Sequence, residues 1–156
     1  PYAEAVERLY EIRPTGRIFF TIGSIDYLSH GGRIGKLAGK VTSALGIRPV
    51  ITLKEGEIFL GGVGRGRAKT LDKTLKNAYD YLKESFTSRE QFDICLGYGY
   101  DYNEAVEFRA RVESMLEELG LGGGGEIPIT HISSVIAVHT GPYALGIGIL
   151  AKARLD

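Results

Sequence analysis

The sequence predicts an α/β fold, a mixed and largely antiparallel sheet packed with helices. Three observations predict it. Segments whose apolar residues recur every three or four positions alternate with short runs of β-branched and aromatic residues. Two of those runs are joined by Glu55-Gly56, a hairpin signal set among the βα alternations. The 156 residues, 44% hydrophobic and 24% charged, are enough for a single domain, 1–156, with its own core, and no linker divides them.

The elements follow in order. Residues 2–13 place Val6, Leu9 and Tyr10 at helical spacing, and Pro14-Thr15-Gly16 breaks the pattern. Residues 17–22 read as a strand. Ser24 caps a short helix whose first turn holds Asp26, and Gly31-Gly32 stops it. Ile34, Leu37, Ala38, Val41 and Leu45 line one face of a helix over 34–45, which Gly46 ends. The hairpin strands are 48–54 and 57–63, with Pro49 at a strand start or edge. A long helix over 67–85 carries Leu71, Leu75, Ala78 and Leu82 in one stripe, with Asp72 and Lys76 as an i,i+4 pair. Residues 92–96 form a strand. Asp101 and Glu104 have the spacing of a capping box, opening a helix that buries Ala105, Phe108, Val112, Met115 and Leu119 and stops at Gly120. After a glycine-rich surface loop at 122–125, residues 127–132, 135–138 and 145–151 read as extended.

Composition excludes several functions. Nineteen basic residues balance nineteen acidic ones, so the chain has no electrostatic footprint for nucleic acid. The one cysteine, Cys95, rules out an intrachain disulfide and favours a cytoplasmic address. No apolar run approaches the roughly 20 residues that span a bilayer, so membrane insertion is not expected. The chain opens at Pro1, directly before an amphipathic pattern and with no signal peptide, which leads us to expect further sequence upstream. His30, His131 and His139 lack partners at metal-ligand spacing, and Cys95, between Ile94 and Leu96, reads as inert core. Walker, nucleophile-elbow and dinucleotide motifs are absent.

Three segments have the composition of a binding site. Gly31-Gly32-Arg33-Ile34-Gly35-Lys36 sets glycines and free N–H groups at a helix start, which suits an anion, although a tight turn with solvated Arg33 and Lys36 is the commoner explanation. In Gly62-Val63-Gly64-Arg65-Gly66-Arg67 a period of two puts Arg65 and Arg67 on one face and three glycines on the other, either to fork an anion or simply to leave a strand. His139-Thr140-Gly141-Pro142 offers a donor and an acceptor at the end of an apolar run. The following Leu145-Gly146-Ile147-Gly148-Ile149 has one bulky and one bare face, against which a helix, a strand or an apolar ligand packs closely.

Together these segments resemble the DegV family. The block from Phe19-Phe20-Thr21-Ile22-Gly23-Ser24 through Gly31-Gly32-Arg33, the continuation Leu45-Gly46-Ile47-Arg48-Pro49 to the Glu55-Gly56 turn and its basic segment, and His139-Thr140-Gly141-Pro142 are similar to that family's signatures, in order and over nearly the whole chain. The resemblance implies a DegV-like C-terminal domain, the second half of a two-domain protein whose N-terminal domain is absent. It implies a bacterial, cytoplasmic, non-catalytic lipid carrier that needs no cofactor, encloses a long-chain fatty acid and presents its carboxylate to a fatty-acid kinase, which makes acyl-phosphate for phospholipid synthesis. His139, with Thr140 and Gly141, then falls at the lipid head, and Arg33 and Arg65 fall on positions for the partner or a phosphate. Tyr143 departs from the family's usual glycine, and Gly97-Tyr98-Gly99-Tyr100 from its His-Ala-Asp type of sequence.

The alternative is an enzyme domain, because the general fold is shared with a subunit of dihydroxyacetone kinases. His139 would then hold a small carbonyl or phosphorylated metabolite. No Asp or Glu lies within ten residues of it to serve as a base. In either case an isolated half that exposes an apolar cleft wall is expected to self-associate.

Overall fold

The computed structural model describes residues 1–32 and 46–153. The expected helix over 34–45 lies outside them. Strands β1 (Arg17–Thr21), β2 (Ile47–Lys54), β3 (Glu57–Arg65), β4 (Phe92–Tyr98), β5 (Ile129–His131) and β6 (Leu145–Ala151) form one sheet in the order β3-β2-β1-β6-β4-β5. Neighbours pair antiparallel except β4 and β5, which are parallel. The described helices are α1 (Tyr2–Ile12), α2 (Asp26–His30), α3 (Arg67–Ser85), α4 (Tyr102–Glu118) and α5 (Ser134–Thr140).

Alternation along the strands divides the sheet into two different faces. On one, Phe19, Phe92, Ile94, Leu96, Leu145, Ile147 and Ile149 pack beneath Leu71, Ala78 and Leu82 of α3 and Ala105, Phe108, Val112 and Met115 of α4. This is the main core, and truncating Phe108 to Ala there would cost about 3–5 kcal/mol. Leu116 joins it, whereas Leu119 is only partly buried at its margin. On the other face, α2 and α5 pack together over a small second cluster of Ile22, Leu28, Ile51 and Ala144. Among the described residues the rest of that face is open, with Ile18 and Leu150 exposed.

Four local expectations are corrected. Residues 135–138 are helical: Ile136 and Ala137 both donate to Ser133 O, and Gly141 N–H closes the helix on Ala137 O. Their β-branched side chains favour a strand, but only a helical period brings Ile136, His139 and Thr140 onto one side. Asp72 does not pair with Lys76; it meets Arg111 of α4 at 2.6 Å, and Lys76 turns to Asp80 at 2.5 Å. At α4, Asp101 accepts from Glu104 N, but the Glu104 carboxylate is taken by Arg67, so only half of the capping box forms. Arg65 and Arg67 do not share a strand face, because β3 ends at Arg65, Gly66 turns with φ 79°, and Arg67 begins α3.

At the opening of α2, Ser24 Oγ accepts the Asp26 N–H from just outside the helix. The β3 glycines face α3. A Cβ on Gly64 would stand 2.6 Å from the Thr70 backbone, so their role is to let helix and strand approach.

Candidate functional site

The open sheet face forms a trough. Across the strands, Gly97, Gly146, Phe20 and Ile51 stand in one row, and Cys95, Gly148, Ile18 and Leu53 in the next. Gly146 and Gly148 lie in the middle of these rows with no side chain, while α3 and α4 cover only the opposite face. The resulting cavity has a volume of about 490 Å³ and is roofed at one end by Leu28, Ile132, Ile136, His139 and Thr140. That volume suits a small apolar molecule, since ligand sites run from roughly 300 to 1,000 Å³. Past Gly148, Ile18 and Cys95 the trough continues into a wider cleft of about 960 Å³, bordered by Arg13, Arg17 and Arg89.

His139 lies in the last turn of α5 rather than at a strand end. Its imidazole seats on Gly31, where a Cβ would overlap Nδ1. Gly31 therefore makes room for the histidine; the sequence offered it as part of an anion site. His139 Nδ1 is buried and has no hydrogen-bond partner among the described residues. An unsatisfied buried polar atom costs about 1–3 kcal/mol, and the His139 side chain also lines the cavity.

Thr140 is buried beside it, but its hydroxyl is engaged with Ile136 O at 3.2 Å and Gly141 O at 3.3 Å. It donates to a ligand only by releasing those carbonyls. Gly141 shapes the turn. Its φ of 74° is left-handed, and a Cβ would meet the Tyr27 ring at 2.6 Å.

Arg65 is exposed at the end of β3, opposite Ile47 in register. Arg33 lies outside the described residues. Arg67 forks onto Glu104 at 2.6 and 2.5 Å and donates to Tyr143 O at 2.9 Å, in the loop that follows Gly141.

Cys95 is not core, as the sequence suggested, but exposed and facing the trough. Partial burial pushes its thiol pKa up, offset in part by a hydrogen bond with the Gly148 backbone. Other trough residues that sequence reasoning missed include Ile18, Phe20, Leu53, Ile132 and Ile136. Among the described residues, no group of three or more His, Cys, Asp or Glu is placed to hold a metal ion, and no helix is long and apolar enough to cross a membrane.

Comparison with known proteins bears on this trough. The model of the DegV family, described as "Uncharacterised protein, DegV family", matches residues 1–152. A DegV domain-containing protein of Clostridium acetobutylicum is 31% identical over 97% of this chain and 50% of its own length. A stearic-acid-binding protein from Eubacterium ventriosum has a solved structure that superposes with a TM-score of 0.86 at 43% identity, over 98% of this chain and 50% of that one. A DegV family protein from Thermus thermophilus, described for its fatty-acid binding, superposes with a TM-score of 0.75 at 27% identity, over 96% of this chain and 49% of that one. The chain thus spans about half the length of the relatives it matches.

Proposed function

The chain belongs to the DegV family, and we propose that it is the C-terminal half of a long-chain fatty-acid carrier, supplying one wall of the acyl site and the imidazole at its head. The observation that carries this reading is the pairing of an apolar, glycine-floored trough with the His139 imidazole at one end. An acyl chain laid along the trough gains roughly 0.8 kcal/mol for each methylene removed from water. A tail of about sixteen carbons then needs few polar contacts to fix its head. His139 supplies one of them, a hydrogen bond from the ring to the carboxylate. Thr140 adds another if its hydroxyl exchanges a backbone carbonyl for the ligand, and Gly141 aims the segment.

The other wall is the protein's own N-terminal domain, consistent with relatives twice as long. In this reading the carrier needs no cofactor, does no chemistry itself, works in the cytoplasm, and hands the carboxylate to a fatty-acid kinase. The exposure of Arg65 at the end of β3 supports assigning it to that partner or the phosphate it transfers, and Arg33 is assigned the same role by resemblance. A small polar metabolite is a poorer occupant, because apart from His139 and Thr140 the trough is lined almost wholly by apolar side chains and glycine.

Native mass spectrometry of the full-length protein tests the reading. One acyl chain per molecule, co-purified or taken up from added palmitate, is the expected result, and Arg65→Glu should slow acyl-phosphate formation while leaving that stoichiometry unchanged. A protein that neither carries nor takes up palmitate would reject it.

A further inference from the structure

We infer that Arg67 is a positioning residue for the head of the acyl site, holding the loop after His139, Thr140 and Gly141 in its binding shape; this rests on the fatty-acid reading above. Its location needs an explanation. Arg67 is the first residue of α3, whose first turn has no acidic residue, and a cation there opposes the helix dipole. The side chain is accounted for by what it joins. Nε and one terminal nitrogen fork onto the two oxygens of Glu104 in the first turn of α4, at 2.6 and 2.5 Å, which leaves the other terminal nitrogen aimed at Tyr143 O, 2.9 Å away. Only a planar guanidinium reaches both targets at once; a lysine ammonium is a single point and must choose.

The loop held in this way is short. Gly141 turns it with φ 74°, and Gly99 N–H fixes Ala144 O at 2.8 Å immediately before β6. The Tyr143 ring packs over Gly23, where a Cβ would stand 3.1 Å from Tyr143 Cβ, and lies edge-on to Tyr100 with centroids 6.0 Å apart. Arg67 therefore supplies the one side-chain hydrogen bond seen to the backbone of 142–145 among the described residues. Arg65 lies two residues away across the Gly66 turn, paired with Ile47 of β2. The loop at the head of the ligand site thus depends on one guanidinium.

The test separates positioning from simple pinning of two helices. In the intact protein, the exchange Arg67→Glu with Glu104→Arg keeps an ion pair between α3 and α4 but sets a carboxylate against Tyr143 O. Arg67→Lys is a milder second variant that keeps the charge and loses the fork. Amide hydrogen exchange over 141–145 is expected to quicken by about tenfold or more in both, and palmitate affinity to fall by about tenfold, with the melting temperature of the exchange variant close to that of the parent. Wild-type exchange rates over 141–145 in both variants would overturn the inference, as would full recovery of rate and affinity in the exchange variant. The exchange measurement needs no ligand. Failure of the parent to bind palmitate would count against the fatty-acid reading and leave the positioning role decided by the exchange rates alone.

Discussion

Gly31 has φ −75° and ψ 0°, a backbone that an alanine also adopts, so what demands glycine is the imidazole resting where a Cβ would be. Gly31→Ala should leave the fold intact and push His139 off its seat, weakening palmitate binding by about tenfold, the worth of one lost hydrogen bond to a charged group. Isothermal titration measures this, and unchanged affinity would show that the seat does not matter. Cys95 gives a second reading of the same site. Because desolvation disfavours its thiolate, the rate of alkylation by iodoacetamide should climb at a pH above the ordinary thiol value of about 8.5, and bound palmitate should suppress it at every pH. Equal rates with and without palmitate would place the acyl chain elsewhere. Residue roles were unevenly legible in the sequence. His139 stood out by its motif. Cys95 was misjudged because Ile94 and Leu96 are its neighbours along the chain, yet in a strand those two point to the opposite face, and Asp93, Cys95 and Gly97 share the open one.

At the scale of elements, β6 separates the two faces most sharply. Leu145, Ile147 and Ile149 are buried under α3 and α4, while Gly146 and Gly148 floor the trough. Gly148→Leu would project an isobutyl group beside Cys95 Sγ, which already stands 3.2 Å from where a Cβ would be. It should abolish uptake of a long acyl chain, a loss of about a hundredfold or more, without unfolding the domain, since each blocked methylene removes roughly 0.8 kcal/mol. Retained uptake in a fluorescent fatty-acid displacement assay would argue that the tail does not cross β6. The alternation that makes this face was readable from Leu145-Gly146-Ile147-Gly148-Ile149 alone. The identity of α5 was not. Val135, Ile136 and Val138 have strand propensity, and tertiary context overrides it: α5 packs on α2, leaves Val135 and Val138 exposed, and turns Ile136, His139 and Thr140 to the cavity. That i, i+3, i+4 spacing, following Ser133-Ser134, was the available signal.

At the scale of the whole molecule, the described residues leave apolar surface without cover. On α1, Tyr2 is 87%, Leu9 61% and Tyr10 68% exposed, and the trough is open along Ile18 and Leu150. Exposed apolar patches of this kind favour association. This 156-residue chain on its own should therefore self-associate in light scattering at concentrations where the full-length protein does not, whereas a strict monomer would imply that the open face is tolerated by water. The sheet, its hairpin and the two long helices were legible because each buries one regular apolar face.

The central claim is that a long acyl chain lies over Gly146 and Gly148 with its carboxylate at His139. A crystal structure of the full-length protein with palmitate tests it most directly. The account predicts the tail along the open sheet face and a carboxylate oxygen within hydrogen-bonding distance of the His139 ring. A tail bound elsewhere, or an imidazole turned away from the head, would contradict it.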